Sequence, residues 1–144
     1  KLKKKGRLIF SARNRLFDLS TLNNYTQNFL DELYEIKYLK KEWKKKYKNL
    51  TKNFSNRKKY KFKNIDEQGV VNHKPHNPLT INSEMKNLGF KVEGIYFYHY
   101  HPLPPVFENF DKIYFRKLSW KIENPNDWRG HFLASAMVID CKKI

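Results

Sequence analysis

A chain of 144 residues and 17.5 kDa with a formal net charge of +16 is long enough for one ordinary domain and too short for two. Its 11 Phe, 9 Tyr and 3 Trp exclude a globally disordered chain, which would lack the side chains to fill a core. The one cysteine, Cys141, excludes an internal disulfide framework and a Cys-rich zinc module. No apolar run approaches the roughly 18 residues of a membrane span, and Leu8-Ile9-Phe10 is too short for a secretory signal, so the expected compartment is the cytoplasm. The sequence starts at Lys1 and its methionines are Met85 and Met137, which leads us to expect the tail of a longer protein or a processed one.

Arg7-Leu8-Ile9-Phe10-Ser11-Ala12 is a short apolar run that predicts a buried strand, closed by the polar Arg13-Asn14-Arg15. Leu22, Tyr25, Phe29, Leu33 and Ile36 then recur at helical spacing, with Asp18, Ser20 or Thr21 available to cap the start. The pattern predicts a helix that runs on past Trp43, followed over 50–68 by a loop or a frayed helix. Asn77-Pro78 suits the entry of a second helix, whose Ile81, Met85 and Leu88 share a face. Gly89 stands where a left-handed C-cap belongs. Lys91–Tyr100 reads as an aromatic strand stopped by Pro102, Pro104 and Pro105. Strict alternation would put Val92, Gly94, Tyr96, Tyr98 and Tyr100 on one face, and Ile95, Phe97, His99 and His101 on the other. Residues 107–122 predict a helix, and Phe132–Ile139 a last strand.

The charge is segmental. Between Lys37 and Lys63 stand 13 basic residues and one acid, Glu42, so most of the net charge lies there. Tyr38, Trp43, Tyr47, Phe54, Tyr60 and Phe62 interleave with the lysines, a texture that can bind single-stranded nucleic acid or an acidic surface. The bland explanation is a solvated insert or lid at about 37–68, its 24 Lys against 6 Arg in the whole chain reflecting AT-rich codons. Arg, the side chain that reads bases and stacks on them, is scarce.

The order strand, helix, insert, helix, strand, helix, strand favours an α/β sheet that looks unfinished on its N-terminal side. Lys5-Gly6-Arg7-Leu8-Ile9-Phe10-Ser11 resembles the fifth strand of class I S-adenosylmethionine-dependent methyltransferases. Arg13–Phe17 with Leu19–Tyr25 resembles their following loop and helix, and Leu88-Gly89-Phe90-Lys91-Val92 their entry to the sixth strand. Trp128–Phe132 through Ile139 resembles their antiparallel seventh strand. The similarity spans roughly residues 4–36 and 77–142 and leaves out the lysine segment.

The resemblance implies the C-terminal part of a Rossmann-like sheet, with three strands in a mixed sheet of order 5-7-6 and the last strand antiparallel. Phe132–Ile139 would then lie between Arg7–Ala12 and Val92–Tyr100. The whole chain, 1–144, would be one partial methyltransferase-like domain. The family's glycine-rich loop and ribose-binding carboxylate are missing, since none of the five glycines fits the pattern. The implied protein therefore methylates a small-molecule or saccharide-like acceptor using S-adenosylmethionine held by an N-terminal half of the same protein. The fragment alone would hold no cofactor and be inactive. The alternative is a basic module that binds nucleic acid or an acidic partner.

Histidine is the default base near neutral pH, and His99 and His101 at the end of the aromatic strand are the candidate catalytic residues. Arg13 and Asn14, at the end of the first strand, can fix an anionic or hydroxylated acceptor, and His73, His76 and Tyr98 complete the candidate binding set. His73, His76, His99 and His101 could alternatively bind a metal or serve as surface and pocket-lining residues; without Cys, Asp or Glu to join them, we expect no metal site. Gly130 in Trp128-Arg129-Gly130-His131 is expected to permit a tight entry into the last strand, with Trp128 and Arg129 structural.

Overall fold

The structure, a computed structural model, describes residues 2–55 and 75–144. The chain divides into two compact units, Lys1–Phe17 with His73–Ile144, and Asp18–Asn72.

The first unit is α/β. Strands β1 (Arg7–Arg13), β2 (Phe90–Tyr100) and β3 (Ala134–Lys143) form one sheet in the order β1-β3-β2. β3 is antiparallel to both neighbours, so β1 and β2 point the same way without touching. Every pairing is thus antiparallel, where a mixed sheet was expected; the order and the direction of the last strand are as anticipated. The register sets Phe10 opposite Ile139 on one side of β3 and Ile95 opposite Ile139 on the other. One face of the sheet is apolar. Leu8, Phe10 and Ala12 of β1, Met137, Ile139 and Cys141 of β3, and Val92, Ile95, Phe97 and Tyr100 of β2 pack there. Helix α3 (Ile81–Asn87) adds Ile81 and Met85 to this core, and helix α4 (Lys112–Ile122) adds Ile122.

Strict alternation fails twice along β2. A register shift between Val92 and Gly94 leaves Glu93 as a bulge, and His99 takes the left-handed φ of 56°. The bulge brings Val92 to the same side as Ile95 and Phe97, and the turn at His99 swings Tyr100 into the core. The tyrosines therefore separate: Tyr96 is exposed, Tyr98 half-buried and Tyr100 buried. β3 begins two residues later than expected, because Gly130–Leu133 form a one-turn helix, α5. It also continues past Ile139, because Asp140 inside the strand is paired with Arg7 rather than ending it.

Gly130 is required by close approach. A Cβ there would stand 2.5 Å from Cγ of Phe97 and from the Tyr100 hydroxyl. Gly89 sits at φ 80° after α3, the left-handed cap its position predicted. α3 itself begins at Ile81 rather than at Pro78, since Asn77 forms a turn in which its Oδ1 accepts from the Leu79 amide at 2.9 Å. α4 likewise starts late. Asp111 caps it by accepting from the Tyr114 amide at 2.9 Å, and Pro105–Asn109 form a separate 3-10 turn.

The second unit is helical. α1 (Asn24–Leu33) is opened by a reciprocal cap in which Asn23 Oδ1 accepts from the Tyr25 amide at 2.8 Å and Thr26 Oγ1 from the Asn23 amide at 3.4 Å. The single long helix expected from Leu22 is interrupted. Glu35 adopts φ 48°, a 3-10 turn at Ile36–Tyr38 buries Ile36, and the chain restarts as α2 (Lys41–Ser55). Residues 50–55, expected as loop or frayed helix, continue α2, while the rest of that stretch lies outside the described residues. The second unit also begins at Asp18, well before the lysine segment anticipated as an insert. Among the described residues no helix is long and apolar enough to cross a membrane.

Candidate functional site at the carboxyl ends of β1 and β2

β1 and β2 end on the same side of the sheet, and most of the candidate side chains follow from that. Asn14, just past β1, is completely buried. Its Nδ2 donates to the carbonyls of Gly130 at 3.1 Å, His131 at 2.8 Å and Ala134 at 2.8 Å, and its Oδ1 accepts from the Leu16 amide at 3.0 Å. One amide thus gathers three carbonyls of the turn between α5 and β3, that of Gly130 also accepting from the Ala134 amide. This fixes the entry into β3 and leaves the side chain no surface to offer an acceptor. Arg13 beside it is half-buried.

His76 lies on the outer edge of β1. Its amide donates to the Arg13 carbonyl and its carbonyl accepts from the Arg15 amide, each at 2.9 Å, an isolated parallel bridge opposite Asn14. Its ring Nδ1 faces Glu84 Oε2 of α3 at 3.3 Å. Beyond this bridge, the outer edge of β1 has no strand partner among the described residues, and Ile9 on it is 61% exposed. His73 lies outside the described residues.

Tyr98 reaches across the small Ala136, its own partner on β3, so that its hydroxyl hydrogen-bonds Ser11 of β1. The His99 ring packs on Tyr98 with centroids 4.8 Å apart, and the His99 carbonyl accepts from Ser135 Oγ at 3.3 Å. Ser11, Tyr98, His99 and Ser135 therefore link all three strands by polar contacts at this end of the sheet, and His99 stays exposed. The two serines were not anticipated; their signal was the small Ala136 opposite Tyr98, visible only once the register is known.

His101 has a different setting. Its ring packs 4.8 Å from Phe17 and 5.8 Å from Phe115, and its Nδ1 is buried with no hydrogen-bond partner among the described residues. Burial holds its pKa below the ordinary histidine value, opposed by Glu108 and reinforced by His99. The two expected catalytic histidines are thus one exposed ring and one neutral ring in an apolar niche. Arg129, in the segment before β3, pairs with Asp127, which lowers the Asp127 pKa through that hydrogen bond. Trp128 is left exposed. A separate concavity of about 470 Å³ opens along β2 between Val92, Ile95 and Phe97 and the turn Pro125–Trp128, away from the strand ends.

Among the described residues no three His, Cys, Asp or Glu side chains gather to hold a metal. The turn after β1 contains no glycine, and its Asn14 is fully engaged by backbone groups. No protein-family model, no curated protein and no solved structure matches the chain.

Proposed function

We propose that the chain is the substrate-side portion of an S-adenosylmethionine-dependent methyltransferase acting on a small-molecule or saccharide-like acceptor. One observation carries the reading. The last strand in chain order is inserted, antiparallel, between two co-directional strands, the arrangement that the resemblance of the separate sequence segments implied. The outer edge of β1, without a strand partner among the described residues beyond the His76 bridge, supports it, since a parallel strand supplied by an N-terminal half would pair there.

In this reading the acceptor lies at the carboxyl ends of β1 and β2. His99, exposed and held by backbone and ring contacts, takes the acceptor's proton, and Tyr98 and Ser11 orient its polar groups. Arg13 and His76 flank the same end of β1. His101 stays neutral and apolar, so its part is to support the strand end.

The coding DNA upstream of Lys1 tests the reading. The expected result is an in-frame glycine-rich strand-turn segment followed by an acidic residue at a second strand end; a stop codon directly upstream of Lys1 overturns it. Calorimetry gives a second test. The chain alone is expected not to bind S-adenosylmethionine, and saturable submillimolar binding by a monomer of it would mean that the cofactor site has been misassigned.

A further inference from the structure

The lysine segment has an order that its composition conceals. Within α2, Trp43, Tyr47, Leu50 and Phe54 follow one another at spacings of 4, 3 and 4, a single narrow stripe. Lys41, Lys45, Lys48 and Lys52 lie on the opposite side, with Lys44 and Lys46 on the flanks. Tyr47 turns toward α1, where its hydroxyl accepts from Gln27 Nε2 at 3.2 Å. The other edge of the stripe is open to solvent. Trp43 is 62% exposed and Leu50 is 82% exposed. Two cations stand beside exposed aromatic rings, Lys46 Nζ at 5.7 Å from the Trp43 centroid and Lys37 Nζ at 4.7 Å from that of Tyr38.

We infer that the Trp43–Leu50 edge of α2 docks on an anionic lipid surface, with the helix lying in the plane of the interface. Charge complementarity selects the partner. Lys46 and Lys37 stand at the exposed aromatic rings, each lysine that close to an acidic bilayer adds about 1 kcal/mol of attraction, and the other lysines of α2 form the polar face turned to water. The apolar edge decides between anions. Leu50 gains nothing from a phosphodiester backbone and cannot stack on a base, but it gains by entering the acyl boundary beside a tryptophan. α2 contains no Arg, so it lacks the side chain suited to base edges and bidentate phosphate contacts. At 15 residues and six lysines the helix cannot span, so it rests on the surface. This surface role is independent of the methyl-transfer reading, because its residues belong to the helical unit alone.

The test uses the full chain with Trp120→Phe and Trp128→Phe, both exposed positions, so that Trp43 is the sole tryptophan reporter. Vesicles of phosphatidylcholine with phosphatidylglycerol are compared with vesicles of phosphatidylcholine alone. The expected result is binding to the anionic vesicles only, with a blue shift of Trp43 emission and its quenching by brominated acyl chains. Leu50→Ser is expected to weaken that binding about tenfold. Lys46→Gln is expected to weaken it about fivefold, with helix content unchanged by circular dichroism in both. Absence of binding, absence of quenching, or equal binding by Leu50→Ser overturns the inference. A single-stranded oligonucleotide that displaces the vesicles, with affinity sensitive to Lys46→Gln and indifferent to Leu50→Ser, assigns the helix to nucleic acid instead.

Discussion

Ile81, Met85, Phe97, Tyr100, Met137, Ile139 and Cys141 form a continuous apolar core in the sheet unit. The helical unit, over its described residues, buries the polar Asp18, Thr21, Thr26 and Gln27 and one aliphatic side chain, Ile36. Its interior is a hydrogen-bond network. The hydroxyls of Thr21 and Thr26 both donate to the Asp18 carbonyl, at 2.9 and 2.8 Å, and stand 3.0 Å apart. Such bonds exchange protein partners for water and yield about 1 kcal/mol each, whereas apolar burial yields about 25 cal/mol per Å². The sheet unit should therefore hold its structure more firmly and the helical unit should open first. Tyr47 shows the difference at one residue. Burial and its neighbour Asp31 push its phenol up to about 12, so polar partners secure α2 to α1 where an aliphatic core would otherwise do so.

The sharpest way to break this comparison is Asn14→Asp. The substitution keeps the shape of the side chain but turns its donors into acceptors facing three carbonyls, and the expected loss is roughly 3–5 kcal/mol in urea unfolding of the sheet unit. A loss below about 1 kcal/mol would show that Asn14 does not organise the entry to β3. Gly130→Ala comes next. Its Cβ would collide with Phe97 and the Tyr100 hydroxyl, and the expected cost is about 2–3 kcal/mol, read from the same denaturant midpoint.

Thr26→Val should cost about 1–2 kcal/mol and stay local. Hydrogen exchange should quicken over α1 while the β3 amides keep their wild-type rates, and equal acceleration in both would mean that the units unfold as one. The smallest effect concerns pH. The folded-state pKa of His101 lies below its ordinary value of 6.5, so the unfolded chain takes up the proton first as the pH falls. Stability from this source is complete above about 6.5 and declines as the pH drops from there toward the folded-state value. His101→Phe should flatten that part of the stability profile in a melting series across the same range.

Much of the sheet could be read from its residues. The apolar run at Arg7–Ala12, the glycine cap at Gly89 and the late apolar run marked the strands, while their order was only what the resemblance implied. The faces of β2 could not be read, because the bulge at Glu93 and the left-handed turn at His99 are answers to packing against β3 and the Gly130 turn. The candidate site divided for the same reason. His99 and Tyr98 came together with Ser11 and Ser135, His101 turned into an apolar niche, and Asn14 became part of the scaffold. Residue identity marked the strand ends where the candidate side chains gather, but which polar group faces outward depended on register and on local turns that periodicity does not encode.

β3 comes after both of its partners in chain order, yet it is the strand that joins them. Neither β1 nor β2 can form its ladder with β3 until Ala134–Lys143 has been made, and the Arg7–Lys142 pairing closes almost the whole of this sequence into a loop. Folding of the sheet is therefore a late, nonlocal event with a slow rate, whereas α1 and α2 pair through near neighbours and can form first. The basic helical hairpin can therefore be finished while the β3-facing edge of β1 still waits, so the yield should depend on how well that waiting edge is shielded.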